Sequence, residues 1–376
     1  MSGSHAGIDA GPSVRERLEG RVARWLAHVP GALLLRVVGE SPRVIDGATL
    51  DAHLQFLLAV RRIKGEPAMC EPTLAEGRLR YRHEVLTVTG APTPVARVTA
   101  CQVPGAAGPL DARHYAPESS PKAPLLVYLH GGGFAIGDLD THDEPCRQLC
   151  RHAQMHVLSV AYRLAPEHPF PAGLDDALAA LRWAMAQGES LGADPSAVCV
   201  GGDSAGGNLA TVAALALARE GRPLLAQLLI YPVTDADVDT PSRARFATGY
   251  VLERRDVDTF RDLYLAGDLR LRDDPRASPR RERDVTHSPP ALVVTGGFDP
   301  LRDEGRAWGE RLQLSGTRVV HQHFPSLVHG FLHMTTVSPA ARQAMLAIAC
   351  GWRDLVAECR GGRPPGPASG RPVPPT

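Results

Sequence analysis

Apolar positions recur early in the chain at a spacing of three and four. In "DGATLDAHLQFLLAVRRI", Leu50, Leu54, Leu57 and Leu58 fall on one face, which predicts an amphipathic helix capped by Asp46 or Thr49. "VRERLEGRVARWL" has the same helical texture, so residues 14–82 are expected to form an N-terminal helical cap. Beyond them the pattern changes. "VARVTACQVPG" and "LDARHYAP" alternate as strands around a Pro/Gly turn. Then come "APLLVYLH", "HVLSVAY", "AVCVGG", "LLAQLLIYP", "PALVVTGG" and "RVVHQHFP". Most of these are continuous Val- and Leu-rich runs, as expected of strands covered on both faces.

Helical segments at 142–153, 173–187, 204–219, 303–315 and 339–358 lie between the strands. This alternation predicts an α/β fold over residues 83–359, a mostly parallel eight-stranded sheet with helices on both faces. Residues 235–275 break the rhythm with polar, arginine-rich helical sequence and read as a cap insertion above the sheet. Residues 1–12 and the Pro/Gly-rich tail 360–376 hold too little apolar sequence to bury a core, and disorder is expected there.

Composition narrows the function classes. The 376 residues carry 41 basic and 41 acidic side chains, so no field favours nucleic acid or an anionic surface. The densest basic patch, "PRRERD" at 279–284, is interrupted by Glu282 and Asp284 and reads as a solvated loop. The seven cysteines are widely spaced, with no zinc-type pairing, and Cys146 and Cys150 merely share one helix face. Reduced thiols in a cytoplasmic protein are the expectation. "GALLLRVV" is broken by Arg36, and the N-terminal segment lacks an uninterrupted apolar run, so neither a secretion signal nor a stable membrane anchor is expected.

The stretch "VCVGGDSAGGNLA" carries the candidate chemistry. Its glycines lie between a strand and a helix, which makes them a tight turn rather than a linker, and Asn208 stands where a phosphate loop would need lysine. Gly202-Asp203-Ser204-Ala205-Gly206 is then a G-x-S-x-G turn that projects Ser204 Oγ from the sheet edge, with Gly202 and Gly206 permitting the bend. The helix beginning at Ala205 offers free N–H groups to a developing oxyanion. "VYLHGGGF" places His130, Gly131, Gly132 and Gly133 at the end of another strand, where backbone N–H groups can approach a substrate oxygen.

His130 itself is expected to pack and hydrogen-bond within that loop. An orienting acid is expected after a later strand, at Asp299, with Asp303 and Glu304 as competitors in the following helix. The base is expected after the next strand, at His329 rather than at His321 or His323 within it. The order Ser204, Asp299, His329 is the nucleophile–acid–base order of hydrolases built on such sheets.

"HGGGFAIGDLDTHDEPCRQL", "AYRLAPEHPFPAGLDDAL", "GGDSAGGNLA", "DPLRDEG" and "VHGF" together resemble the hormone-sensitive-lipase family, the bacterial family IV carboxylesterases, from about Val103 to Val356. The resemblance implies an α/β-hydrolase core with a helical cap, and Ser204, Asp299 and His329 as a catalytic triad. It implies oxyanion donors at Gly132, Gly133 and Ala205. Asp203 marks a subgroup of that family, and its physical role stays open. Hydrolysis of short- to medium-chain acyl esters with neither metal nor organic cofactor is expected. Amide, lactone or carbamate cleavage and non-catalytic ligand binding stay open as alternatives, as does a homodimer.

Overall fold

The computed structural model describes residues 20–22, 24–118 and 122–361. The expectations for residues 1–12 and for the tail beyond 361 lie outside the described residues.

Eight strands form the central sheet: β1 (Arg97–Gly105), β2 (Gly108–Ala116), β3 (Ala123–Leu129), β4 (His156–Val160), β5 (Ala193–Asp203), β6 (Gln227–Ile230), β7 (Ala291–Phe298) and β8 (Val319–Val328). Their order is β8-β7-β6-β5-β3-β4-β2-β1. From β8 to β4 every pairing is parallel; β1 and β2 form the antiparallel hairpin that the alternating pattern predicts, and β2 pairs antiparallel with β4. Strand periodicity places the core on both faces. In β3, Leu125, Val127 and Leu129 face one helical layer while Leu126 and Tyr128 face the other.

The first layer consists of α5 (Ala172–Gln187), α6 (Ala205–Arg219) and α9 (Arg302–Leu314), which bury Leu174, Leu209 and Trp308 among others. The second consists of α4 (Asp143–Ala153) and α10 (Pro339–Cys359), with Leu149, Ile348 and Trp352 inside it. Cys146 and Cys150 are buried side by side on α4, as their spacing suggests, and none of the seven cysteines is in a disulfide.

The N-terminal segment contributes α1 (Gly31–Val37), α2 (Ala52–Lys64) and α3 (Leu74–Val88). The cap of α2 differs from expectation: Asp51, one residue before the helix, accepts from Leu54 N at 3.0 Å. Thr49 is instead paired with Val44 in a two-residue ladder, and Asp46 sits at positive φ in the turn of that ladder. Helix α3 continues past residue 82 because Val85 supplies another buried turn, and it ends before the Gly90–Pro92 break. The 235–275 region folds into α7 (Pro241–Arg245) and α8 (Arg254–Tyr264).

The two segments meet above the sheet, where Asp256 of α8 accepts from Met69 N at 2.9 Å. Arg78 and Arg82 of α3 fasten this roof to the core loops through Ala135 O, Glu167 and Asp138. Among the described residues, no helix is long and apolar enough to cross a membrane.

Candidate active site

Strand β5 ends at Asp203 and α6 begins at Ala205, leaving Ser204 alone in the turn with φ 54° and ψ −117°. A non-glycine residue there is strained, and its neighbours hold it in place. Ser204 N donates to Ile230 O at 2.9 Å, while Ser204 O accepts from Asn208 N and Val233 N, each at 3.1 Å. A Cβ at Gly202 or Gly206 would run into the Leu129 carbonyl of the adjacent strand, so the turn can close only with glycine at both positions. Asn208, where a phosphate loop would carry lysine, donates from Nδ2 to Val233 O at 3.1 Å and to Ala277 O at 2.9 Å.

The C-terminal ends of β7 and β8 bring Asp299 and His329 to this turn. Asp299 is fully buried; its Oδ1 accepts from Leu301 N at 2.7 Å, and its Oδ2 accepts from His329 Nδ1–H at 2.8 Å. That hydrogen bond fixes the tautomer, leaving Nε2 as the acceptor for Ser204 Oγ–H at 3.1 Å. The Tyr231 ring packs 4.5 Å from the His329 ring, centroid to centroid.

The competitors are engaged elsewhere. Asp303 accepts from Ser242 N at 2.8 Å, and Glu304 is buried in an ion pair with Arg243 at 2.8 Å. His321 and His323 both contact Thr295 Oγ1 at 3.0 Å.

The loop after β3 supplies the opposite wall. His130 is buried, donates from Nδ1 to Gly131 O at 2.8 Å and stacks on Tyr162. Gly132 and Gly133 take φ values of 117° and 59°, and Gly132 O accepts from Ala135 N and Ile136 N. The Phe260 ring of α8 lies against Gly133 so closely that a Cβ there would overlap it. The loop therefore presents bare backbone beside Ala205, the first residue of α6.

Sequence reasoning did not assign roles to the groups behind this loop. Asp203 Oδ1 accepts from Tyr128 OH at 2.8 Å and from Gly131 N at 2.9 Å, with His142 Nε2 at 3.3 Å. His142 Nδ1 contacts Thr141 Oγ1 at 3.0 Å, and His333 meets its ring edge-on at 4.7 Å. Tyr81 OH, from α3, reaches His333 Nε2 at 3.2 Å.

His142, Asp203 and His333 each bring one side-chain nitrogen or oxygen within 4.8 Å of the others, and His142 Nε2 lies 3.3 Å from Asp203 Oδ1. Burial would raise the Asp203 carboxyl, but attraction to His142, helped by His333 and by the hydrogen bond from Tyr128, outweighs it and holds the group below the ordinary carboxylate range. The one visible signal was His142 in "LDTHDEP", a histidine inside a motif with no assigned task.

A cavity of about 700 Å³ opens over Ser204, lined by Leu54, Leu58 and Val85 from α2 and α3, Phe134 from the loop and Phe260 and Leu301 beyond. Its walls are mostly apolar, as befits a small-molecule pocket.

A family described by the alpha/beta hydrolase fold matches residues 126–333. A carboxylic ester hydrolase of Mycobacterium tuberculosis, LipN, is 43% identical over 298 residues, covering 77% of this chain and 79% of the relative. An ethyl acetate hydrolase of Pseudomonas putida is 41% identical over 226 residues, 59% of this chain and 70% of the relative. The structure of EH1AB1, an ester-hydrolase from the Lake Arreo metagenome complexed with a derivative of bipyridine phosphonate, superposes with a TM-score of 0.78 at 38% identity. It covers 82% of this chain and 99% of that one. The chain belongs to the α/β-hydrolase-fold family, within its hormone-sensitive-lipase-like carboxylesterase branch. It is a carboxylic ester hydrolase, and its substrates are esters.

The buried histidines have a consequence for acid stability. Burial, followed by the charge of a neighbouring histidine, lowers His114 and His130 to about 4 and His333 to about 3, against 6.5 in an open chain. Below 6.5 the unfolded chain binds protons that the folded chain refuses. This contribution to stability is therefore intact above that pH and is lost as pH falls toward 4, at about 1.4 kcal/mol per pH unit and per group. The urea midpoint is expected to be clearly lower at pH 5 than at pH 7.5; equal midpoints would mean that these rings titrate normally.

Proposed function

We propose that Ser204 is the nucleophile, His329 the general base and acid, and Asp299 the orienting carboxylate of a serine esterase. His329 Nε2 takes the hydroxyl proton as Ser204 Oγ attacks the ester carbonyl, and Asp299 stabilises the imidazolium. The N–H groups of Gly132, Gly133 and Ala205 receive the oxyanion. His329 then returns the proton to the leaving alcohol, and a water repeats the sequence to release the acid. The continuous relay Ser204–His329–Asp299, at 3.1 and 2.8 Å, is the observation that carries this reading.

The substrates are short- to medium-chain acyl esters. An apolar cavity roofed by the cap supports this, as does likeness to an ethyl acetate hydrolase. The free thiols support a cytoplasmic location. A fluorophosphonate should label Ser204, and labelling elsewhere would displace it from the role. With p-nitrophenyl esters from acetate to palmitate, kcat/KM should peak between butyrate and octanoate, because methylenes beyond a filled pocket add no binding in the transition state. A maximum at palmitate would refute the chain-length assignment.

A further inference from the structure

Asp203 carries a charge that the proposed reaction does not use. It lies next to the nucleophile, is only 3% exposed, and stands where a developing negative charge would be repelled. Burying a carboxylate is costly unless its partners compensate, and an apolar replacement is often tolerated as well or better. What Asp203 touches is therefore informative. Its Oδ1 accepts from Gly131 N, the amide that leads into Gly132 and Gly133, at 2.9 Å. The carboxylate lies so close to the Gly131 Cα that a Cβ there would collide with it. Tyr128 OH steadies the same oxygen from β3, the strand that ends at the loop, and His142 Nε2 lies 3.3 Å from it. Through its own backbone Asp203 is fixed in β5, paired with Ile230 of β6, and continuous with Ser204 and Ala205.

We propose that Asp203 is a positioning residue. Its Oδ1 ties the glycine loop to the nucleophile turn, so that N–H donors from two separate elements keep one common geometry. The loop donors hang from β3 and the Ala205 donor from α6; Asp203 is the side chain that joins them. The requirement is for an acceptor oxygen at one place, with the charge secondary. A loop displaced by an ångström would still bind substrate in the apolar cavity but would stabilise the transition state poorly.

The test separates place from charge. Asp203→Asn keeps an acceptor oxygen in position and removes the charge; Asp203→Glu keeps the charge and moves the oxygen by one methylene. For variants with native near-ultraviolet circular dichroism, Asp203→Glu is expected to lose about 100-fold in kcat with KM within roughly threefold. Its affinity for a trifluoromethyl ketone, which forms a tetrahedral adduct, should fall in parallel. Asp203→Asn should stay within about fivefold of the parent in kcat. Should Asp203→Glu not fold, Asp203→Ala takes its place with the same expectation.

An active Asp203→Glu, an Asp203→Asn impaired as deeply as Asp203→Glu, or losses confined to KM would overturn the proposal. It rests on the reading of Ser204 as nucleophile, so Ser204→Ala is assayed beside the others. If that variant stays active, the reading of the site fails; if it is dead while Asp203→Glu is unimpaired, only the tie fails.

Discussion

Replacing Ser204 with alanine is expected to lower kcat by roughly 10^4- to 10^6-fold, the scale seen when a triad member is removed. The substitution deletes one oxygen from a residue that is 7% exposed and whose backbone is fixed by Ile230 O, Asn208 N and Val233 N. The turn should therefore survive intact, since none of these contacts involves the side chain. An unchanged melting temperature with activity reduced to the donor-only background is the expected pair of results. Hydrolysis of p-nitrophenyl butyrate within tenfold of the parent would remove Ser204 from the mechanism.

The second large effect is expected at Asp299. Asparagine in its place preserves volume and can still accept from Leu301 N, but the side chain cannot be anionic. If its amide nitrogen faces His329 Nδ1, that nitrogen must become the acceptor, and the proton moves to Nε2 where Ser204 needs a base. If its oxygen faces His329, the tautomer survives but the imidazolium loses its counter-charge. We expect a fall in kcat of about 10^3- to 10^4-fold, with KM changed little, because the substrate never touches this buried group. Preserved kcat in Asp299→Asn would transfer the orienting role elsewhere. Asp303 and Glu304 would be poor heirs, since both are committed to Ser242 and Arg243.

Much of the fold and of the candidate site is legible in the sequence. Runs such as "APLLVYLH" announce a strand covered on both faces because period-two burial on both sides leaves no polar position, and β3 is buried throughout. Ser204 could be placed because a strand and a helix flank it, and the glycines then had a steric purpose that the Leu129 carbonyl accounts for. Local capping was less legible. Asp46, Thr49 and Asp51 all offer a capping oxygen, and which one serves depends on a two-residue ladder that no periodicity reveals.

Asp203 was visible only as a letter. Its partners Tyr128, Gly131 and His142 lie more than 60 residues away in sequence, and the contacts exist only once β3 and β5 are neighbours. His333 and Tyr81 were silent for the same reason, since one belongs to the segment after β8 and the other to α3.

The relay is assembled from the ends of β5, β7 and β8, and β8 is the last strand of the sheet in chain order and lies at its edge. A chain still emerging from the ribosome therefore carries Ser204 long before it carries His329. On the proposed mechanism, until that final strand is in place the serine has no base and is an ordinary alcohol. Ester cleavage therefore reports that β5, β7 and β8 stand together in the sheet, a readout of assembly that needs no spectroscopic probe.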